Sequence, residues 1–248
     1  MTRMVCGALA CVILSAGPAF AQTAATAAPA EKFFLNVSAG GQVTTVEVKG
    51  TASATVYNQT ALANTSREVS GGPLFDLTLG VPVHGKLALA GTVSLRKATS
   101  DGALSASVPH PLFSDAPRSV STTVAAMTHQ ETWFGVLAAY TLSSTDRRSI
   151  MVMAGPMVVA VKHDAVTGIA VAEGASATSP TVTATIGSIG KSFWGYTIGT
   201  DVRVMLTKTV GIGGFIRYTA APGNITGVES VTLGGLQAGA GLRVSLKK

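Results

Sequence analysis

The chain has 248 residues, of which only 12% are charged and 47% are hydrophobic, with a formal net charge of +6 and a mean hydropathy of +0.42. About a quarter of the residues of a typical soluble domain are charged, so this composition argues against one. The basic residues are scattered, with no patch interleaved with aromatic residues, which argues against nucleic-acid binding.

The N-terminal residues have the pattern of a secretory signal peptide. Arg3 precedes an apolar run from Met4 to Leu14, and Ala19 and Ala21 supply the small-x-small pattern of a cleavage site. The apolar run is too short to cross a membrane as a helix. We therefore expect the chain to be exported and its signal to be removed.

This signal sets the expected domain boundaries. We predict a signal peptide over 1–21, a short linker over 22–31 and one folded domain over 32–248. Both cysteines, Cys6 and Cys11, fall within the signal. The exported chain is therefore expected to contain no disulfide and no thiolate metal site.

Apolar residues alternate with polar or small residues along most of the folded domain. In 236–247, the even-numbered residues are Leu, Ala or Val, and the odd-numbered ones are Gln, Gly, Arg, Ser or Lys. Successive side chains of a strand point to opposite faces, so this pattern predicts strands with one apolar and one polar face. Eight such strands are predicted, at about 32–57, 61–83, 86–98, 119–142, 149–163, 179–206, 210–220 and 229–247.

The predicted connections between the strands alternate in length. Short turns are expected near 83–85, 143–148 and 206–209, and long polar connections near 49–70, 98–122, 164–180 and 220–229. In the first long connection, the strands are expected to continue above the membrane to a hairpin tip near 58–61. Short turns on one side and long loops on the other are typical of outer-membrane barrels. The prediction is an all-β, eight-stranded, antiparallel up-and-down transmembrane β-barrel.

With its signal peptide, eight alternating segments, three short turns and closing Gly-Leu-Arg-Val-Ser-Leu strand, the chain resembles the small eight-stranded outer-membrane barrel proteins of Gram-negative bacteria. These are proteins of the OmpA transmembrane domain, OmpX and OmpW type. The resemblance implies localisation in the outer membrane, contact with the barrel assembly machinery and no cofactor. The chain departs from the usual aromatic C-terminal residue, because it ends in Leu246-Lys247-Lys248. We expect a monomer.

The polar strand faces are expected to line the barrel lumen. Charges on a lipid-facing surface would cost several kcal/mol each near the bilayer midplane. An eight-stranded barrel is just wide enough for side chains to fill, so a packed, ion-paired plug is favoured over a conducting pore. Met151, Met153, Met157 and Val159 are expected to face inward and to make part of the lumen apolar. The predicted lumen ion-pair network consists of Asp76, Arg96, Glu131, Asp201, Arg203, Arg217 and Arg243.

The exterior is expected to contact lipid. Trp133, Tyr140, Trp194, Tyr196 and Tyr218 are predicted to form aromatic girdles at the membrane interfaces. The basic charge balance favours acidic head groups, such as those of lipopolysaccharide, among the outer-membrane lipids.

The histidines offer little support for catalysis or metal binding. Only His129 and Glu131 share a strand face at close spacing, and they are weak catalytic candidates. Ser119 or Ser121 would have to supply the nucleophile of a Ser-His-acid site, and no motif fixes that geometry. A structural hydrogen-bonded pair is the simpler reading, and no metal site is predicted.

The segment 108–118 combines polar residues with three prolines. The prolines restrict the backbone and remove three donors, so the loop is expected to be stiff and extended. A loop of this kind favours a recognition surface or a lid over catalysis. The predicted recognition residues are His110, Leu112, Phe113, Asp115 and Arg118.

The sequence favours a non-enzymatic outer-membrane barrel with a structural role, or a surface-recognition role towards an extracellular ligand. The alternatives are a barrel enzyme acting on lipid or peptide at the outer rim, and a narrow channel for small or apolar solutes. A soluble lipocalin-like barrel would need an apolar lumen and a polar exterior, the reverse of the predicted placement.

Overall fold

The computed structural model describes residues 31–113, 115–174, 179–223 and 231–247. The predicted signal peptide lies outside these residues, as does nearly all of the predicted linker. No helix in this part of the chain is long and apolar enough to cross a membrane. The strands are β1 (Glu31–Gln42), β2 (Val46–Val56), β3 (Gln59–Val69), β4 (Pro73–His84), β5 (Leu87–Val108), β6 (Arg118–Ser144), β7 (Arg148–Ala172), β8 (Thr181–Met205), β9 (Val210–Gly223) and β10 (Val231–Lys247).

Eight of these strands form a ring, in which every pairing is antiparallel. β1 pairs with both β4 and β10, and the strands from β4 to β10 each pair with the next in sequence. The ring therefore has no free edge at the level where all eight strands pair. The predicted eight-stranded antiparallel barrel is confirmed.

The prediction that the chain has eight strands in all was wrong, because β2 and β3 form an additional hairpin. The predicted first strand, 32–57, breaks after Gln42, and the predicted second strand, 61–83, breaks at 70–72. At the second break, a Cβ on Gly71 would collide with the carbonyl oxygen of Gln42, so only glycine fits there. The hairpin turns at Tyr57 and Asn58, whose φ angles are 53° and 58°. The predicted tip position is confirmed.

The predicted long connections at 98–122 and 164–180 were also wrong, since strands occupy most of both. β5 continues to Val108, β6 starts at Arg118, and β7 and β8 are paired as far as Ala172 and Thr181. The ends of β5–β8 that lie away from the short turns consist largely of Ala, Ser, Thr and Val. Their inward-facing side chains pack together in an apolar core. The core includes Ala61, Leu104, Val108, Val124, Met127, Val166, Ile169 and Val182. We call this region, together with β2 and β3, the outer extension.

The exterior of the ring carries an apolar belt. Exposed aliphatic and aromatic side chains cover it, among them Leu77, Leu79, Leu89, Phe134, Val136, Ile198, Val202, Ile216 and Leu242. On β5 the belt runs from Leu87 to Leu95, a height of roughly 20–25 Å for a tilted strand. Exposed Lys97, Gln130 and Lys162, paired in one register row, bound it on the outer side. The short turns bound it on the other side.

Candidate functional site in the barrel lumen

The structure places all seven charged residues of the predicted network inside the ring, each at most 8% exposed. They fall into three layers along the barrel axis. Alternation explains this placement, since each one shares its strand face with other buried residues. The layer nearest the short turns is formed by Asp201 and Arg243. The Arg243 guanidinium donates to both carboxylate oxygens of Asp201, at 2.6 and 3.3 Å, and to the Ser38 hydroxyl at 2.7 Å. Arg203 lies two residues along β8 on the same buried face.

The middle layer is centred on Asp76, which lies at the level of the apolar belt. Arg217 Nη1 lies 2.7 Å from Asp76 Oδ2, and the same carboxylate accepts hydrogen bonds from the hydroxyls of Thr78, Thr92 and Ser94. Arg217 also donates to Gln237 and Ser94. Almost every polar atom of this layer is therefore satisfied inside the protein, which a buried ion pair requires.

The outermost layer is centred on Glu131. Its carboxylate accepts from Arg96 Nη1 at 2.7 Å and from Trp133 Nε1 at 2.9 Å, and His129 Nε2 lies 2.8 Å from it. Trp133 is completely buried, so its predicted girdle position was wrong. It lies two residues from Glu131 and so faces the lumen with it. The other four predicted girdle residues are exposed on the exterior.

Two histidines, His129 and His163, together with Arg67 of the β2–β3 hairpin, continue this layer towards the outer extension. His129 Nδ1 lies 3.1 Å from His163 Nδ1, and Arg67 Nη2 lies 2.8 Å from the same His163 atom. Because arginine can only donate, His163 Nδ1 must accept, and the proton between the two rings belongs to His129. Burial and the neighbouring Arg67 charge lower the pKa of His163 to about 4, so it is neutral at pH 7.

Arg67 connects the outer extension to the lumen. It comes from β3, is 4% exposed, and reaches from the hairpin to His163. Its Nε and Nη1 have no acceptor among the described residues, and it lines a cavity of about 20 Å³ with His163, Thr65 and Met127. A cavity of this size holds about one water molecule, which is a suitable partner for these donors.

The cluster lacks the geometry of a catalytic triad. His129 and Glu131 are each at most 4% exposed, which leaves no opening for a substrate. Ser119 and Ser121 are exposed in the outer extension, about 33 and 26 Å along β6 from His129. The described residues also contain no group of three or more histidine, cysteine or acidic side chains placed to hold a metal ion.

The predicted recognition loop connects β5 and β6 at the outermost tip of the molecule. His110 Nδ1 accepts hydrogen bonds from the backbone N–H groups of Leu112 and Phe113, and its ring packs on Phe113 at 4.9 Å. Leu112 is 78% exposed and Phe113 57% exposed. Asp115 is exposed as well, and Ser114 lies outside the described residues.

Arg118 braces this loop against two other elements. It donates to both carboxylate oxygens of Glu173 at the end of β7 and to the carbonyl of Pro109. Tyr57 at the tip of the hairpin donates to the same Glu173 at 2.9 Å. Hydrogen bonds from Arg118 lower the pKa of Glu173 to about 2, so the clamp stays charged over the physiological range.

Sequence reasoning missed Arg67, His163, Tyr57 and Glu173. His163 was within reach, because it shares its face with Val159 and Val161 on one alternating strand. The other three lie in segments predicted to be long connections, or in a strand predicted to belong to the ring. No local pattern indicates which partners they meet.

No protein-family model matches the chain, and no curated protein matches it. Among solved structures, the fold is similar to neisserial surface protein A (NspA), with 14% identity over 86% of this chain and 97% of that one, at a TM-score of 0.45. It is similar to the outer membrane protein OprG from Pseudomonas aeruginosa, with 10% identity over 89% and 98% and a TM-score of 0.45. It is also similar to the outer membrane protease OmpT from Escherichia coli, with 7% identity over 86% and 97% and a TM-score of 0.48.

Proposed function

We propose that the chain is a non-enzymatic outer-membrane β-barrel protein with a closed lumen, whose outer extension presents a rigid surface for a structural or recognition role outside the cell. The observation that carries the proposal is the joint arrangement of an apolar belt and a lumen filled by three layers of paired charges. The proposal includes export by the signal peptide, insertion by the barrel assembly machinery and contact with outer-membrane lipids, lipopolysaccharide among them.

The belt supports membrane insertion. Exposure of such a large continuous apolar surface to water would cost free energy, whereas lipid solvates these side chains. The charged residues at the same level all face inward and are paired. This placement is the reverse of that in a soluble barrel with an apolar lumen.

The lumen supports a structural barrel over a channel. Trp133, Met157, Phe215, Arg217 and Arg243 project into a ring of only eight strands, where side chains fill the interior. A cavity of about 20 Å³ beside Arg217 has room for about one water molecule. A solute would have to displace paired arginines to pass.

The outer tip supports recognition. Its apolar Leu112 and Phe113 are exposed, while the clamp of Arg118, Tyr57 and Glu173 fixes the backbone beneath them. A surface that is ordered before binding loses less conformational entropy when it meets a ligand. An extracellular ligand is therefore expected to contact this tip.

Membrane fractionation with gel mobility tests the proposal. The folded protein should be in the outer-membrane fraction and should migrate differently on a gel with and without heating, because a closed barrel resists detergent. A soluble periplasmic protein of unchanged mobility would refute it. In planar bilayers, the refolded protein should give no conductance, and steady unitary currents would favour the channel alternative. Purified protein should turn over neither lipid nor peptide substrates.

A further inference from the structure

Basic side chains are concentrated at the end of the ring that carries the short turns. Lys86 lies in the β4–β5 turn, Arg147 in the β6–β7 turn with Arg148 directly after it at the start of β7, and Lys208 in the β8–β9 turn, and all four are exposed. Lys32, at the start of β1, is exposed at the same end of the ring. None of the five forms a salt bridge within the described part of the chain. We call these five residues the basic rim.

The basic rim is distributed around the whole barrel. In the ring order β1-β4-β5-β6-β7-β8-β9-β10, the three turns and the β10–β1 contact each follow the previous one after two strands. Every one of these four positions carries at least one exposed cation. Asp146 is the only acidic residue in the three turns.

The opposite end of the molecule has no comparable excess of positive charge. The outer extension contains several carboxylates, and two of its cations are paired with them: Lys49 with Glu47 at 3.6 Å and Arg118 with Glu173 at 2.6 Å. The lumen charges largely cancel in their layers. The net positive charge of the chain therefore resides mainly at the short-turn end.

We propose that the basic rim binds the phosphate groups of anionic phospholipids in the leaflet next to the short turns. Each turn emerges directly from the apolar belt, next to exposed aliphatic residues such as Leu87, Ile150 and Val210. A lysine or arginine there can lay its aliphatic stem along the hydrocarbon boundary and place its charge among the phosphates. A ring of lipids meets the barrel on every side, as the basic rim does, whereas an acidic protein partner would select one side. This inference rests on the proposed insertion in a membrane.

The test uses the mature chain refolded into phosphatidylcholine vesicles that contain phosphatidylglycerol. Spin-labelled phosphatidylglycerol and phosphatidylcholine report the relative association of each lipid with the barrel surface. Wild-type protein should favour phosphatidylglycerol. Each basic residue near a membrane surface contributes up to about fivefold in association, and high salt should reduce the preference. The variant Lys86→Gln/Arg147→Gln/Arg148→Gln/Lys208→Gln should lose most of it.

Two control variants separate local contact from overall charge. Lys49→Gln removes a cation from the outer extension and should keep the wild-type preference. Lys86→Arg/Lys208→Arg retains both charges and should keep it as well. Equal lipid preference in wild type and the fourfold variant, in barrels that remain heat-modifiable, would overturn the inference. A chain that does not insert and shows no heat-modifiable band would instead refute the proposed function.

Discussion

Removal of the Asp76 carboxylate is expected to be among the most costly single changes in the lumen. Asp76→Ala leaves the Arg217 guanidinium buried with no counter-ion, at 8% exposure. Loss of one partner of a buried pair costs about 3–5 kcal/mol, because the other charge stays desolvated. Thr78 and Thr92 can still pair with each other at 2.9 Å, so their hydroxyls add little to this cost.

The double variant Asp76→Leu/Arg217→Met should recover most of the lost stability. It replaces both charges by apolar groups of similar volume, and such replacements of buried pairs are often neutral or stabilising. We expect it to lie within about 1–2 kcal/mol of wild type and well above Asp76→Ala. Asp115→Ala, at an exposed loop position, is the matched control and should change stability by less than about 0.5 kcal/mol.

Urea titration of the refolded barrel in vesicles, followed by heat-modifiable gel mobility, measures these differences. The free energies should be compared at equal slope against urea, since a changed slope would mean a changed unfolded or native state. If Asp76→Ala were as stable as wild type, water would have to reach Arg217, and the lumen would not be closed. A double variant less stable than Asp76→Ala would show that the polar layer itself holds the barrel together.

Three further predictions follow from single side chains. Lipids brominated on their acyl chains should quench Trp194, which is exposed on the exterior, and should leave Trp133 unaffected, so that a Trp194→Phe variant shows almost no quenching. The His163 ring should remain neutral down to about pH 4 in an NMR titration. The contribution of this ring to barrel stability should be full above about pH 6.5. It should fall by up to about 3 kcal/mol as the pH decreases towards 4, because the ring takes up a proton in the unfolded chain before it does so in the folded barrel. Gly80→Ala should cost about 1–3 kcal/mol in a urea titration, because its Cβ would overlap a buried phenylalanine ring of β1, whereas Gly91→Ala has open space and should be nearly neutral.

The faces of the ring strands were predictable because lipid and lumen impose opposite polarity on alternate residues. For that reason Asp76, Arg217 and Arg243 could be placed inside the barrel before any contact was known. Their pairing was not predictable, since it depends on the register and the stagger between strands. Trp133 shows the limit of using residue type alone. Its indole side chain is typical of an aromatic girdle, but it lies two residues from Glu131 and therefore on the same, lumen-facing side of β6.

The β2–β3 hairpin could not be separated from the ring by pattern. Its strands alternate as the ring strands do, because the outer extension has its own apolar interior with a solvent-exposed outside. An alternating pattern of apolar and polar residues indicates that the two faces of a strand differ in environment. It does not indicate whether the strand belongs to the ring or to the outer extension. The break between β1 and β2 is marked only by Val43, Thr44 and Thr45, which contain neither glycine nor proline.

Arg67 fixes the outer extension to the lumen. If the hairpin were only an exposed loop, its position relative to the ring would be free, and the tip residues it supports would move with it. Arg67 instead bonds to His163 inside the barrel mouth, and Tyr57 at the far end of the same hairpin bonds to Glu173, which directly follows β7, the strand that carries His163. Two side-chain contacts, one buried and one exposed, therefore hold the hairpin in place, in addition to the backbone pairing of β3 with β5.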